Sequence, residues 1–488
     1  MSEIIRKDYE AGLKMLFAVD EDIENKLAQL LENLQKLDLA AQAVEEAVLE
    51  GNKIYVYGCG ATGRLAKQME STFWRPFWNK VKDQKRIWKK LKGHLSDHME
   101  DQLIGEMTGA DRALISSLEG FEDLFLIGRL QLLDRRVKKG DVVFCVTEGG
   151  ETSSVIGTIL AALDQWKTTG DHSPDITRKK LFFIYNNPDE HLLPFNRSRK
   201  VLEEPGITKI NLTTGPQSIT GSTRMQATTI ETFVVGHVLQ AGVDRALRQI
   251  LSNKNMSRLG FKNKILMEKK LSGFKDILKT IKANLPAIAR LTELETATYQ
   301  NNHFSTYFAG KGLITVFIDS TERSPTFRLY ALDTVKEKKR RCWIQVWTSA
   351  SSRENAWKAF LGRPFRGLSP GFYEKPFAEK ISDPYLRKAA LDSLKNAGND
   401  QQDLYDFSFA DFNIKNRGPE KGDLGICVLI GPEEDALKEK DSDFRKFTEL
   451  HLGKKARTAV IVVSDKSEKT INKLTGKITG FSPETADC

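Results

Sequence analysis

The sequence predicts an α/β protein made of two successive parallel sheets, each with helices on both faces in a flavodoxin-like three-layer sandwich. Two observations predict it. Short apolar runs alternate with stretches of helical period, and that alternation gives parallel strands joined by crossover helices. The alternation runs through the first half, lapses, and then resumes, although the two halves share no close self-similarity. The 488 residues also exceed what one hydrophobic core organises. The expected division is a first domain over 1–250 with a helical leader, a helical connector over 251–285 and a second domain over 286–488.

Residues 20–50 place apolar side chains at three- and four-residue spacing and stop at Gly51, which predicts an amphipathic helix. A strand, KIYVY, follows from Lys53. The loop Gly58–Arg64 (GCGATGR) comes next, with a helix beginning near Thr62. Segment 74–100 is basic and tryptophan-rich. A partner-binding helix has this composition, but a helix whose aromatic face docks on the core is the expectation. The strand DVVFCV leads through Thr147–Ser153 (TEGGETS) into the helix SVIGTILAALDQW. KLFFIYNN is a third strand ending at Asn187-Pro188. KINLTT is a fourth, leading through Gly215-Pro216 to a helix from about Ser222. In the second half LITVFIDS, RCWIQVWTS, LGICVLIG and TAVIVVS read as four more strands.

Composition narrows the function classes. With 40% hydrophobic and 28% charged residues the chain is of ordinary globular type. No apolar run reaches the ~18 residues of a membrane span, and the charged N-terminus lacks an apolar signal segment, so a cytoplasmic location and no membrane association are expected. The net charge of +9 is spread along the chain, with local clusters at Lys80–Lys92 and Lys336–Arg341. No nucleic-acid motif accompanies it, so nucleic acid is not an expected partner. Five scattered cysteines give neither a disulfide framework nor a metal-ligand spacing. His94 and His98 lie four apart on an expected helix with Glu100 nearby, but a third ligand is lacking and a solvated face accounts for the pair. His237 reads as a core residue, and His303 as a loop residue within reach of a sugar. No metal or cofactor is expected.

Three loops carry the functional expectation, because ligands of open parallel sheets bind outside the carboxyl ends of the strands. In the first, Gly60 and Ala61 open the backbone to an anion at a helix start, Thr62 adds a hydroxyl and Arg64 a charge. The acidic residue that a dinucleotide site needs about 20 residues further on is replaced by basic sequence, which excludes that reading. In the second, Thr147, Thr152 and Ser153 supply hydroxyls, and Gly149 and Gly150 backbone access. Glu148 and Glu151 would repel a phosphate unless they turn away or meet sugar hydroxyls. In the third, Thr220, Ser222, Thr223 and Arg224 cluster at a helix start, in a longer hydroxyl run than a helix cap requires.

In that order, GCGATGRL, EGFED and GPQSITGSTRM resemble the sugar-isomerase (SIS) family of the N-acetylmuramic acid 6-phosphate etherases and the glucokinase regulatory protein, over roughly residues 30–240. The second half resembles an SIS domain more weakly, which implies two tandem SIS domains, as in the regulatory protein. The resemblance implies a Ser/Thr-lined site for a hexose or amino-hexose phosphate, and, on the regulator side, a protein partner such as a sugar kinase. For the etherases it also implies two glutamates that remove and donate protons as lactate is expelled. One falls on Glu122 in Glu119–Asp123. The other falls on Thr72, which titrates far outside the useful range, while Glu70 sits about 200° round the helix. Gln217, Gln226 and Gly149 depart further from the family pattern. The expectation is a phosphosugar-binding sensor or regulator without etherase activity; the alternative is a lyase or isomerase acting on an amino-sugar phosphate. A further loop, Ser320–Thr326 with Arg323, is a candidate second sugar site.

Overall fold

The computed structural model describes residues 2–168, 173–222 and 224–464. They form two compact units that are not contiguous in sequence. The first comprises residues 19–275 and 366–399; the second comprises 2–18, 276–365 and 400–464 of the described chain. This grouping differs from a simple division into 1–250 and 286–488 in two places. The leading helices Ser2–Lys7 and Tyr9–Ala18 belong with the second unit, and the helices Pro370–Lys380 and Pro384–Lys395 with the first.

The first unit is built on five parallel strands: β1 (Ile54–Gly58), β2 (Leu103–Met107), β3 (Val142–Thr147), β4 (Leu181–Tyr185) and β5 (Thr208–Asn211). Their order is β2-β1-β3-β4-β5, with Ile54 opposite Leu103 on one side and Val142 on the other. Every residue of β1 to β4 is buried, as a sheet covered on both faces demands, and this is why these strands read as unbroken apolar runs. The expected helix over 20–50 is two, Glu21–Glu32 and Gln35–Glu50. The chain breaks between them where Asn33 accepts the backbone N–H of Gln35 on its side chain. Helix Gly60–Gln68 follows β1, Ser153–Thr168 follows β3, and Gln226–Ile250 follows the loop after β5.

Two features of this unit were not expected. Strand β2 contains Gly105 and Glu106, so it lacks an apolar signature; Glu106 is accommodated by a buried pair with Arg135 at 2.9 Å. Helix Gly60–Gln68 continues into a π-helical turn, Met69–Trp74. Beyond it, Trp74 and Trp78 are fully buried, so the aromatic face of the tryptophan-rich segment docks on the core. His94 and His98 lie in turns after helix Lys85–Leu91 ends, not on a helix. His98, Glu100 and Asp101 come together, but Glu100 is paired with Lys82 and Asp101 with Arg75.

The second unit has four parallel strands, β6 (Ser305–Ala309), β7 (Ile344–Trp347), β8 (Leu424–Ile430) and β9 (Arg457–Val463), in the order β7-β6-β8-β9. Its core gathers Phe308, Trp347, Cys427 and Phe447. One expected strand is corrected here. LITVFIDS opens the helix Leu313–Phe327, and the strand beside it is the preceding Ser305–Ala309. Short apolar runs have no intrinsic period to separate the two states. The candidate loop Ser320–Thr326 is therefore the end of that helix.

Candidate functional site

The strand order reverses between β1 and β3, since the chain leaves β1 for β2 on one side and returns to β3 on the other. In such sheets the ligand crevice opens there, at the carboxyl ends. The first two hydroxyl-bearing loops flank that point.

The β1 loop is occupied with its own geometry. Gly60 takes a φ of 58°. The Thr62 hydroxyl donates to Cys59 O at 2.8 Å and accepts from Cys59 N at 3.1 Å, so its proton is committed inside the turn. Ala61 is buried beside it. Arg64, expected at the ligand, is instead fully buried, and its Nε donates to Leu114 O at 2.8 Å. One turn on, Lys67 and Glu70 form a buried pair at 2.6 Å that extends to Arg75 and Asp111. Glu70 is thus an ion-pair partner within the core. Thr72 lies in the π-helical turn.

The β3 loop is more open. Thr147 and Thr152 share a hydroxyl–hydroxyl contact at 3.1 Å, and Thr147 also accepts from Gly150 N. Gly150 adopts a φ of 73°, a conformation that favours glycine, and a Cβ there would lie 2.7 Å from the Leu192 side chain. Nothing approaches within 4 Å of a Cβ placed on Gly149. Ser153 starts its helix and accepts from Arg197 at 3.2 Å, which leaves its own O–H to donate. Arg197, on helix Asn196–Leu202, also lies 3.6 Å from Glu151 and 3.9 Å from Asp123. The Glu119–Asp123 segment is thereby brought to this loop, with Glu122 exposed on it. Asn187 clamps the loop from β4, donating to Gly149 O at 2.9 Å, and Asn186 binds the segment after β5 through Leu212 O and Thr214.

The third loop is held by the two glutamines that depart from the family pattern. Gln226 donates to Pro216 O and accepts from Ser218 N, and Gln217 accepts from Ala227 N. Thr220 is exposed. Ser222 is buried and accepts from Arg224 at 2.7 Å, again keeping a proton to donate. Thr223 lies outside the described residues.

The helix Gln226–Ile250 joins the third loop to the second. Thr228 donates to Glu148 at 3.1 Å. One turn later, Glu231 is fully buried, and neither of its carboxyl oxygens has a hydrogen-bond partner among the described residues. Burial, with Glu148 adding to it, pushes the Glu231 carboxyl well above the usual carboxylate range. His237, further along, is half-buried; burial lowers its pKa, and its Nδ1 meets Phe233 O, as a core histidine does. His303, in the second unit, lies 3.7 Å from Asp423.

Sequence reading missed Arg197, Asn186, Asn187 as a clamp, and Glu231. Glu231 alone carried a signal, being an acid on the apolar face of TIETFVVGHVL. Arg197 touches residues 44 and 74 positions away, a juxtaposition that no local pattern encodes.

The candidate site is thus a parallel sheet with glycine- and hydroxyl-rich loops at its switch point, in an α/β protein. No family model matches the chain. It is similar to N-acetylmuramic acid 6-phosphate etherases. It is 24% identical over 252 residues to that of Picosynechococcus sp., 24% over 242 to that of Lactococcus lactis subsp. lactis, and 27% over 226 to that of Synechocystis sp.. These matches cover 51%, 49% and 44% of this chain, and span 68%, 63% and 58% of the relatives' own lengths. A superposition on the C-terminal domain of glucosamine-fructose-6-phosphate aminotransferase from Francisella tularensis covers 97% of this chain and 92% of that one, at 12% identity and a TM-score of 0.38.

Proposed function

We propose that the chain binds a phosphorylated hexose or amino-hexose at the β1 and β3 loops and works as a sensor or regulator without etherase turnover. The observation that carries this reading is the β3 loop. It combines an open Gly149, a helix start, the Ser153 hydroxyl with a proton to give, and the nearby Arg197 guanidinium. Backbone N–H groups at a helix start together with a guanidinium suit a phosphate. Similarity to N-acetylmuramic acid 6-phosphate etherases supports a phosphorylated amino sugar as ligand. The absence of turnover rests on Thr72, which cannot transfer a proton near neutral pH, and on Glu70, which is tied to Lys67 and Arg75. A sugar kinase as protein partner and a cytoplasmic setting belong to the same reading. No helix of the described residues is long and apolar enough to cross a membrane.

A second reading is a lyase or isomerase acting on an amino-sugar phosphate such as N-acetylmuramic acid 6-phosphate. The buried Glu231 favours it, since a carboxyl whose pKa burial raises is the kind of proton donor that Thr72 fails to supply.

Thermal-shift titration with hexose and amino-hexose phosphates, with lactate release from N-acetylmuramic acid 6-phosphate followed in the same wells, separates the two. A ligand at a hundredfold excess over its Kd stabilises the fold by about 2.7 kcal/mol. Stabilisation without lactate supports the sensor. Lactate release that fails in Glu231→Gln supports the enzyme. No shift with any phosphate ester overturns both.

A further inference from the structure

The second unit contains a cavity of about 380 Å³, a size suited to a small organic ligand. Ser320, Arg323, Arg328, Tyr330, Arg341 and Trp343 line it. It lies where the chain enters β7, at the amino end of that strand, and so at the opposite end of a parallel sheet from the expected ligand crevice.

Its chemistry is that of an anion site. Arg328, at the C-terminus of helix Leu313–Phe327, and Arg341 are both exposed, and neither forms an ion pair within the described residues. Arg341 lies over the Tyr330 ring at 4.4 Å, which fixes its plane. Arg323 is held by Asp319 at 2.6 Å. The neighbouring acids are engaged as well. Glu295 accepts the hydroxyls of Tyr299 and Tyr307, Asp333 takes the backbone N–H groups of Arg341 and Cys342, and Glu337, whose charge faces Arg341, is bonded to Thr334. Burial pushes the Cys342 thiol up to about 11, so the wall carries no thiolate.

A second, independent observation points to a ligand. Ser320 is 6% exposed, and its hydroxyl has no hydrogen-bond partner among the described residues. A serine inside a helix ordinarily returns its proton to the carbonyl four residues back; this one does not, and it borders the cavity. Tyr330 and Trp343 are 60% and 45% exposed, which offers ring faces for the organic part of a ligand.

We propose that this cavity is a second binding site, for a small phosphate monoester. The guanidinium groups of Arg328 and Arg341 take the phosphate, Ser320 donates from the floor, and the sugar or other ring lies against Tyr330 and Trp343. Planar guanidinium forks match phosphate oxygens two at a time.

The test uses the full chain and reads Trp343 fluorescence as the difference between the native protein and Trp343→Phe. The probes are inorganic phosphate, glucose 6-phosphate and glucose. Glucose 6-phosphate is expected to quench the Trp343 component, and Arg328→Gln with Arg341→Gln, both at exposed positions, to weaken that response roughly tenfold or more. Ser320→Ala should weaken it by less, and Arg197→Ala in the first unit should leave it unchanged. Four results would overturn the assignment: glucose quenching as well as its phosphate, inorganic phosphate alone accounting for the whole affinity, a response untouched by the double substitution, or no response up to about 10 mM, beyond the range of even a weak millimolar site. Because the signal is local to Trp343, failure of the first-unit reading leaves this result standing, and the reverse holds too.

Discussion

At the scale of single residues, the proposed readings of the first unit turn on Glu231 and Arg197. Burial, and then Glu148, raise the pKa of Glu231, so the folded chain holds this proton more tightly than the unfolded chain. The unfolded chain releases that proton near the ordinary glutamate value, so between the two pKa values the folded state binds more protons. Stability from this group is complete below the unfolded value and declines as pH rises, by at most about 1.4 kcal/mol per pH unit. Glu231→Gln removes the titration. As pH rises above the ordinary glutamate value, urea unfolding should therefore show the native protein losing more stability than this variant, and parallel curves would show that the carboxyl is not shifted upward. Arg197→Ala removes the guanidinium from Ser153, and on the proposed reading it weakens phosphosugar binding roughly tenfold to hundredfold in calorimetric titration, while an unchanged affinity would remove Arg197 from the site. The hydroxyl-rich loops were legible in the sequence because glycine and serine at a strand–helix junction have a local meaning. The fates of Thr62 and Arg64 were not. Thr62 turns back on Cys59, and Arg64 finds its acceptor on Leu114, 50 positions away. A side chain's type is local information; the direction it points depends on distant backbone.

At the scale of elements, the β3 loop is positioned by one close helix crossing. Helices Phe125–Asp134 and Ser153–Thr168 meet through Gly128 and Gly157. A Cβ on Gly157 would lie 2.2 Å from Phe125 O, and one on Gly128 would lie 1.9 Å from Ser154 O. Backbone cannot yield as a flexible side chain can, so Gly157→Ala must push the helices apart. Overpacking of this kind costs about 1–3 kcal/mol, and it also shifts the helix start that presents Ser153. Urea unfolding should register the loss, and phosphosugar affinity should fall with it; a variant as stable as the native chain would mean that the crossing is looser than it looks. Helices flanked by caps and breaks were readable here, as at Gly51, where Gln35–Glu50 ends. Strands were readable where apolar and β-branched residues run together, as in β3, β4 and β8. β2 escaped notice because Glu106 is neutralised by Arg135, a pairing that the sequence does not advertise. LITVFIDS misled for the opposite reason: its β-branched residues suit a strand, but the pattern continues for the 15 residues of Leu313–Phe327, which is helical length.

At the scale of the whole molecule, each compact unit is assembled from separate stretches of chain, so neither corresponds to a simple half that could be cut at a linker. The two units also carry opposite buried titrations. Glu231 lies in the first. His451 lies in the second, fully buried, with its Nδ1 on Phe447 O at 2.9 Å. Burial lowers its pKa to about 4, against 6.5 for a free histidine. A histidine with a depressed folded pKa stabilises fully above the unfolded value and loses that contribution as pH falls toward the folded one. Acidification from pH 6.5 to 4 should therefore weaken the second unit, by about 3 kcal/mol at most for this group, over a range in which the Glu231 contribution is being restored to the first. Hydrogen exchange separates the units without cutting the chain. After correction for intrinsic pH dependence, amide protection in β8 should fall between pH 6.5 and 4.5, and His451→Phe should flatten that fall without altering β3. If β8 and β3 lose protection together, and the variant follows the native protein, the two units unfold as one and His451 does not set the acid limit.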